Sequence, residues 1–385
     1  MFKISVKFAA ALTALTLGVE AHGGTLYVTA SGAGDCSNWS NACNLTTAVS
    51  NAAPGDEIWA QAGTYGPFTL KNGAKIIGGF SGTETAASQS DPTANETIVD
   101  GGTSNQCVTS TDDAASTMLR GFTLQNCRDS SDDGGGGLVA TDSSALIVQC
   151  VFKDNRASRF GAAAAVRGNS SPHFINCTFH DNGTGTGSAV TPLGAGAVYI
   201  HNGTPSFTNC LFYNNKAIEG GAVLIHNGTP TFVNCTFANN QATIGEAGGL
   251  FDELGAAEIK NSIFWGNQAG PNRTSDHIFN GEGSTSLVTY SDVQGGFPGT
   301  NNIDADPLFV NAAGGDYKLQ STSPCMGVAQ YFALPADVAD LDWDMDTTEK
   351  TPVDLWLNTR FAPFGLEIGV NELPPSGGGG KGGEN

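Results

Sequence analysis

A phrase of the form Asn-Cys-x-Phe-x-x-Asn recurs down the middle of this chain and constrains its fold more than any other feature. It reads Asn176-Cys177-Thr178-Phe179-His180-Asp181-Asn182, then Asn209-Cys210-Leu211-Phe212-Tyr213-Asn214-Asn215, then Asn234-Cys235-Thr236-Phe237-Ala238-Asn239-Asn240. Looser copies flank these, Gln149-Cys150-Val151-Phe152 through Asn155 and Asn261-Ser262-Ile263-Phe264 through Asn267, so the Cys/Ser positions are spaced by 27, 33, 25 and 27 residues. A period of about 20–50 residues marks a unit that cannot bury its own apolar face and must stack on its neighbours. Within a unit, short runs alternate in and out between Gly or Asn corners. Helical solenoids need longer 3.6-periodic runs and far fewer than 52 Gly. The pattern predicts an all-β, right-handed parallel β-helix. The Phe of each phrase should stack in the core, and the closing Asn should take a left-handed backbone and hydrogen-bond to its equivalent one coil away.

The rest of the chain arranges itself around this solenoid. Residues 1–21 read as a secretory signal, with Lys3 and Lys7 before an apolar run at 8–18 and small or branched residues after it. Residues 22–320 form the β-helix, with a short amphipathic helix at 44–53 closing its N-terminal end. Residues 321–373 form an irregular C-terminal cap, and 374–385 a flexible Gly-rich tail. No later apolar run is long enough to span a bilayer. The chain is therefore expected to be secreted: periplasmic, cell-surface or extracellular.

A formal charge of −20, from 17 Lys+Arg against 37 Asp+Glu, disfavours nucleic acid and anionic membranes as partners. Nine cysteines in an exported chain raise the question of disulfides. Cys36 and Cys43, in a loop-like stretch, form the best candidate bridge. Cys150, Cys177, Cys210 and Cys235, stacked in register, would lie ~4.8 Å apart with parallel side chains. A disulfide needs Cβ atoms within about 3.5–4.5 Å. This column is expected to be a ladder of buried free thiols. Cys107, Cys127 and Cys325 stay unassigned, a 107–127 bridge between neighbouring coils being one option.

The repeats pair Gly-Gly-Ala-Val-like segments with Phe-x-x-Asn and so resemble those of polymorphic outer membrane proteins. The whole chain more closely resembles exported bacterial right-handed β-helix repeat proteins of the pectin-lyase-like superfamily. The stretches that carry this likeness are Pro54-Gly55-Asp56-Glu57-Ile58-Trp59-Ala60, Ile77-Gly78-Gly79-Phe80-Ser81-Gly82-Thr83, Asp306-Pro307-Leu308-Phe309-Val310 and Gly315-Asp316-Tyr317-Lys318-Leu319. The usual closing Asp-Ile-Gly-Ala-Tyr-Glu is here Glu367-Ile368-Gly369-Val370-Asn371-Glu372. The resemblance implies the fold. It leaves activity open, because such proteins include enzymes and non-enzymes.

Three groups of residues could carry chemistry. His201 and His226 occupy one column with Ile200 and Ile225 pointing inward, and Arg167 lies in or beside that column. Outward imidazoles there could meet sugar hydroxyls. The stretch Asp337, Asp340, Asp342, Asp344 and Asp346 is the densest cluster of hard ligands, and the alternating Asp340, Asp342, Asp344 and Asp346 could converge on a structural Ca²⁺, although no EF-hand pattern is present. Elimination chemistry needs a basic residue and a cation, and Arg156, Arg159 and Asp154 are the only seed of such a site. The acids of the central repeats (Asp181, Glu219, Glu246, Asp252, Glu253) share no evident column. The reading is a secreted or cell-surface β-helix that binds extracellular polysaccharide or mediates surface contact as an adhesin-like element. The alternative is a calcium-assisted polysaccharide lyase or glycoside hydrolase.

Overall fold

The computed structural model describes residues 23–130, 134–184, 194–351, 353–360 and 365–371. The expected signal and Gly-rich tail lie outside the described residues. From Thr25 onward the chain winds into stacked coils whose strands form four parallel sheets of ten, nine, eight and five strands. In the central coils the path visits each sheet in turn. Ser206–Thr208 lies in the ten-stranded sheet, Leu211–Tyr213 in the nine-stranded, Lys216–Ala217 in the five-stranded and Val223–His226 in the eight-stranded. The chain is a right-handed parallel β-helix, as the repeat implied.

Corners set the strand lengths. The backbone is left-handed at the opening Asn of each phrase (φ 52° at Asn176, 53° at Asn209, 53° at Asn234) and at the residue before the closing Asn (φ 55° at Asp181, 53° at Asn214, 54° at Asn239). Only three strand residues fit between two such corners, for example Thr178–His180. The left-handed conformation therefore falls one residue earlier than expected at the end of the phrase. The closing Asn has a different task, since its backbone N–H and its side chain both face the next coil. Asn155, Asn182, Asn215 and Asn240 each donate from Nδ2 to Oδ1 of the next member, at 3.0, 3.0, 2.9 and 2.9 Å, ending on Asn267. The same side chains donate back to a carbonyl on the preceding coil, such as Leu124 at 2.9 Å and Phe152 at 2.8 Å. Every buried amide in the column is thereby partnered, as burial of a polar group demands.

Inside the coils, Phe152, Phe179, Phe212, Phe237 and Phe264 stack at 4.7, 4.7, 4.6 and 4.3 Å between ring centroids. A second file, Phe174, Phe207 and Phe232, stacks beside it at 4.8 and 4.7 Å. Cys150, Cys177, Cys210 and Cys235 are buried and unbridged, each thiol donating to backbone carbonyls, as Cys177 does to Ile147 at 3.2 Å. Burial pushes the thiols of Cys150 and Cys210 well above the usual range, so they behave as small apolar groups. Cys36 pairs with Cys43 and Cys107 with Cys127.

The N-terminal end is covered by the helix Leu45–Asn51, capped by the Asn44 side chain on Thr47 N–H and burying Leu45 and Ala48. At the other end Phe297 packs onto the core, carried by a loop tied down where Val293 N–H bonds Ile303 O and Tyr290 N–H bonds Thr300 O.

The segment beyond residue 305 runs back along the flank of the rod. Tyr317 and Val370 pack on Leu211 and Ala238, Cys325 and Ile368 on Ile263, and Leu334 and Leu366 on Val233. Ala339, Leu341 and Val353 reach Met118, Leu146, Val148 and Ile175, and Trp343 reaches the cluster of Trp59, Ile77 and Phe80 on the first coils. The opening Asn column is the docking rail for this strap. Asn176, Asn209, Asn234 and Asn261 donate from Nδ2 to the carbonyls of Asp354, Val353, Glu367 and Gln330, at 2.9, 2.8, 3.3 and 2.9 Å.

Candidate functional site

The strap occupies the ten- and nine-stranded sheets, and the side chains with chemical potential gather on the outer face of the eight-stranded sheet. Register decides which residues meet there. Arg167 pairs with His201 and His201 with His226 on adjacent strands, so Arg167 belongs to the column itself. Ile200 and Ile225 point inward and are fully buried, which turns the imidazoles out. The His201 and His226 rings lie 5.3 Å apart, and His226 Nδ1 meets Glu253 Oε2 at 2.7 Å. Burial, the neighbouring His226 and then Arg167 hold the His201 imidazole below its ordinary range, so it stays neutral at neutral pH.

Beneath this polar rim lies an apolar base that the sequence did not reveal. Phe160, Tyr199, Leu224 and Phe251 form a cluster outside the sheet, with Phe160 and Tyr199 stacked at 4.4 Å. The Arg159 guanidinium sits over the Phe160 ring at 4.8 Å, and that of Arg167 lies 5.9 Å from Tyr199. Such cation–π contacts hold the guanidinium planes against the sheet. Glu219 approaches from the opposite edge. Burial, and then the Glu253 charge, push its carboxyl up to about 7, with Arg273 and Glu246 paired close by at 3.1 Å.

The three-residue seed of Arg156, Arg159 and Asp154 is split by the fold. Arg159 joins Arg167 on the eight-stranded face. Arg156 sits on the five-stranded sheet, donating to the carbonyls of Asn155 and Asp181 at 3.0 and 2.7 Å. There it lines a groove of about 400 Å³ with Asp154, Asp181 and Lys216. Of the central acids, Glu219, Glu246 and Glu253 come together around the eight-stranded face, whereas Asp252 points inward and accepts from Gly255 N–H at 2.7 Å. The loops that bring the three glutamates together differ in length from coil to coil, so no sequence column marks them.

Beside the His column, the turns that follow it stack into a groove of about 360 Å³ lined by Asn202, Gly203, Thr204, Asn227, Gly228 and Thr229 among others. Asn227 donates to Asn202 there. A more open groove of about 630 Å³ lies on earlier coils between Pro67 and Ser130, and its lining includes no His or aromatic side chain.

The aspartates proposed as metal ligands lie elsewhere, on the strap where it reverses over the first coils. Asp340, Asp342 and Asp344 present carboxylate oxygens within 4.8 Å of one another, as do Asp337, Asp342 and Glu349. Asp346 falls outside both groups. Its Oδ1 accepts from Thr348 N–H and Oγ1–H at 2.9 and 2.7 Å, a local turn that draws the carboxylate away. Burial first, and then the charges of Asp342 and Asp340, push the Asp337 carboxyl above its ordinary range against its backbone hydrogen bonds. No helix among the described residues is long and apolar enough to cross a membrane.

A family described as the right handed beta helix region matches residues 95–295. No curated protein matches. Among solved structures the chain is similar to the crystal structure of pectate lyase Pel9A. The identity is 10%, the TM-score 0.44, and the likeness covers 90% of this chain and 96% of that one. So remote a likeness carries no argument about chemistry.

Proposed function

This chain belongs to the right-handed β-helix family, and from that premise we propose that it is an exported protein that holds an extracellular polysaccharide along the outer face of its eight-stranded sheet. The observation that carries this reading is the register-locked file of Arg167, His201 and His226, backed by the Phe160–Tyr199 stack and continued by the Asn-Gly-Thr groove. Successive coils present these groups at the ~4.8 Å spacing of parallel strands. A ligand that lies along the rod therefore meets a repeated set of donors and acceptors. A neutral His201, a His226 ordered by Glu253 and two guanidinium groups together suit hydroxyl and carboxylate groups on a sugar chain. Two disulfides suit an oxidising compartment.

A second reading, cleavage of the bound polysaccharide at the same face, is favoured by Glu219. A carboxyl raised to about 7 within reach of the Arg273 charge is suited to general acid–base work. The acidic cluster on the strap lies on a different side of the rod, so a cation there would not act in that chemistry. The test is incubation of the protein with a panel of uronate-containing and neutral polysaccharides, followed by co-sedimentation and product analysis. Retention without turnover supports the binding reading. New reducing ends or unsaturated sugars would replace it with the catalytic one. Retention of no polysaccharide would remove both.

A further inference from the structure

The turn of the strap holds an arrangement that its hydrogen bonds do not explain. Asp337 is 1% exposed. One of its carboxylate oxygens, Oδ2, accepts from Leu341 N–H. The other, Oδ1, is buried with no hydrogen-bond partner, and so is Oε1 of Glu349. Both residues belong to the group with Asp342 whose oxygens lie within 4.8 Å of one another. An ionised carboxylate oxygen buried without a donor is costly, and here two of them belong to residues grouped with a third carboxylate. The nearest guanidinium, Arg120, attracts the Asp337 charge from a distance but gives neither orphaned oxygen a hydrogen bond. Arg120 donates to Gln149 Oε1 at 2.7 Å and to the carbonyls of Asp340 and Leu341 at 3.4 and 3.5 Å. Lys350 is spent on the Leu334 carbonyl at 2.6 Å.

We propose that Asp337, Asp342 and Glu349 form a Ca²⁺ site that pins the reversal of the strap against the first coils. Oxygens so spaced can surround one ion at bond lengths of about 2.3–2.6 Å, and a hard cation that takes 6–8 oxygens leaves room for water and backbone carbonyls. The strained, exposed stretch between the ligands, left-handed at Asp340, Trp343 and Met345, would be ordered by the ion. Trp343 would then be held over Arg120, at 4.1 Å. The role is structural, and the site is independent of polysaccharide binding.

The test is calorimetric titration of CaCl₂ into the full chain after EGTA treatment and removal of chelator, together with Tb³⁺ luminescence sensitised by Trp343. One equivalent of Ca²⁺ is expected to bind, the thermal midpoint should rise with Ca²⁺, and Tb³⁺ emission should be displaced by Ca²⁺. Asp337→Asn combined with Glu349→Gln should weaken binding at least tenfold, while Asp346→Asn leaves it unchanged. Should the double variant not fold, Glu349→Gln alone, at a half-buried position, is expected to give a severalfold loss. Absence of binding at millimolar Ca²⁺, or unaltered binding in the Asp337/Glu349 variants, overturns the proposal.

Discussion

Two adjacent asparagines, Asn214 and Asn215, look interchangeable in the sequence and should behave in opposite ways when replaced. Asn215 is fully buried. Its Nδ2 donates to Phe179 O and Asn240 Oδ1, both at 2.9 Å, and its Oδ1 accepts from Asn182 N–H and Nδ2–H at 3.2 and 3.0 Å. Truncation to alanine leaves the buried Asn182 N–H without that acceptor, a cost of about 1–3 kcal/mol. Three further hydrogen bonds disappear, each contributing roughly 0.5–1.5 kcal/mol net. Some relief follows because Asn182 Nδ2 keeps Phe152 O and Asn240 Oδ1 keeps Asn215 N–H. Asn215→Ala should therefore cost about 3–5 kcal/mol. Asn214 is exposed, with φ 53°. Asn214→Gly should be close to neutral, and Asn214→Ala should cost about 1 kcal/mol for a Cβ in the left-handed region. Equilibrium unfolding in urea measures both, and hydrogen exchange at the neighbouring amides shows whether the loss is confined to adjacent coils, as stacked repeats allow. An Asn215→Ala variant within about 1 kcal/mol of the parent, or an Asn214→Gly variant equally damaged, would refute the ladder argument.

Three further outcomes are expected. Thiol titration should find the five unbridged cysteines, Cys150, Cys177, Cys210, Cys235 and Cys325, unreactive in the native protein and all reactive in denaturant without reductant. More or fewer in denaturant would contradict the pairing. Glu219 has a folded-state value raised from 4.5 to about 7, so its stabilising contribution is full below about pH 4.5 and lost as pH rises through 7. Glu219→Gln should consequently gain on the parent between pH 5 and 8, by no more than about 1 kcal/mol because water screens the half-exposed carboxyl, and equal pH profiles would argue against the assignment. Trp343→Ala should speed proteolysis within residues 337–349 severalfold while the midpoint of global unfolding stays put, since the tip of the strap rests on Arg120 and the first coils.

The coil architecture was legible because it is written as columns: Phe on Phe, Cys on Cys, His on His, each repeated at the period of the coil. The closing Asn was read correctly as a ladder and wrongly as the left-handed residue. The signal for the true corner was present, because the preceding position is Asp154, Asp181, Asn214, Asn239 or Gly266, all types that tolerate positive φ. The strap was not legible, since it docks through its backbone carbonyls on the opening Asn column and has no period of its own. The grouping of Glu219, Glu246 and Glu253 was hidden for a related reason: an interval of 33 residues followed by one of 25 shifts loop residues out of alignment while the strands stay in register. At the strap tip, the Asp-rich stretch from Asp337 to Asp346 was visible, but Glu349 lies beyond it and joins Asp337 and Asp342 only because the chain reverses.

Affinity electrophoresis of the parent against a variant carrying Arg167→Ala, His201→Ala and His226→Ala tests the proposed function most directly. These half-buried side chains lie outside the coil interior, so the variant should stay folded, its midpoint lowered only by the lost Arg167–Tyr199 and His226–Glu253 contacts. Its mobility should lose at least tenfold of its dependence on the retained polysaccharide. Retardation equal to the parent's, in a variant that stays folded, would place the ligand elsewhere on the rod and contradict the account.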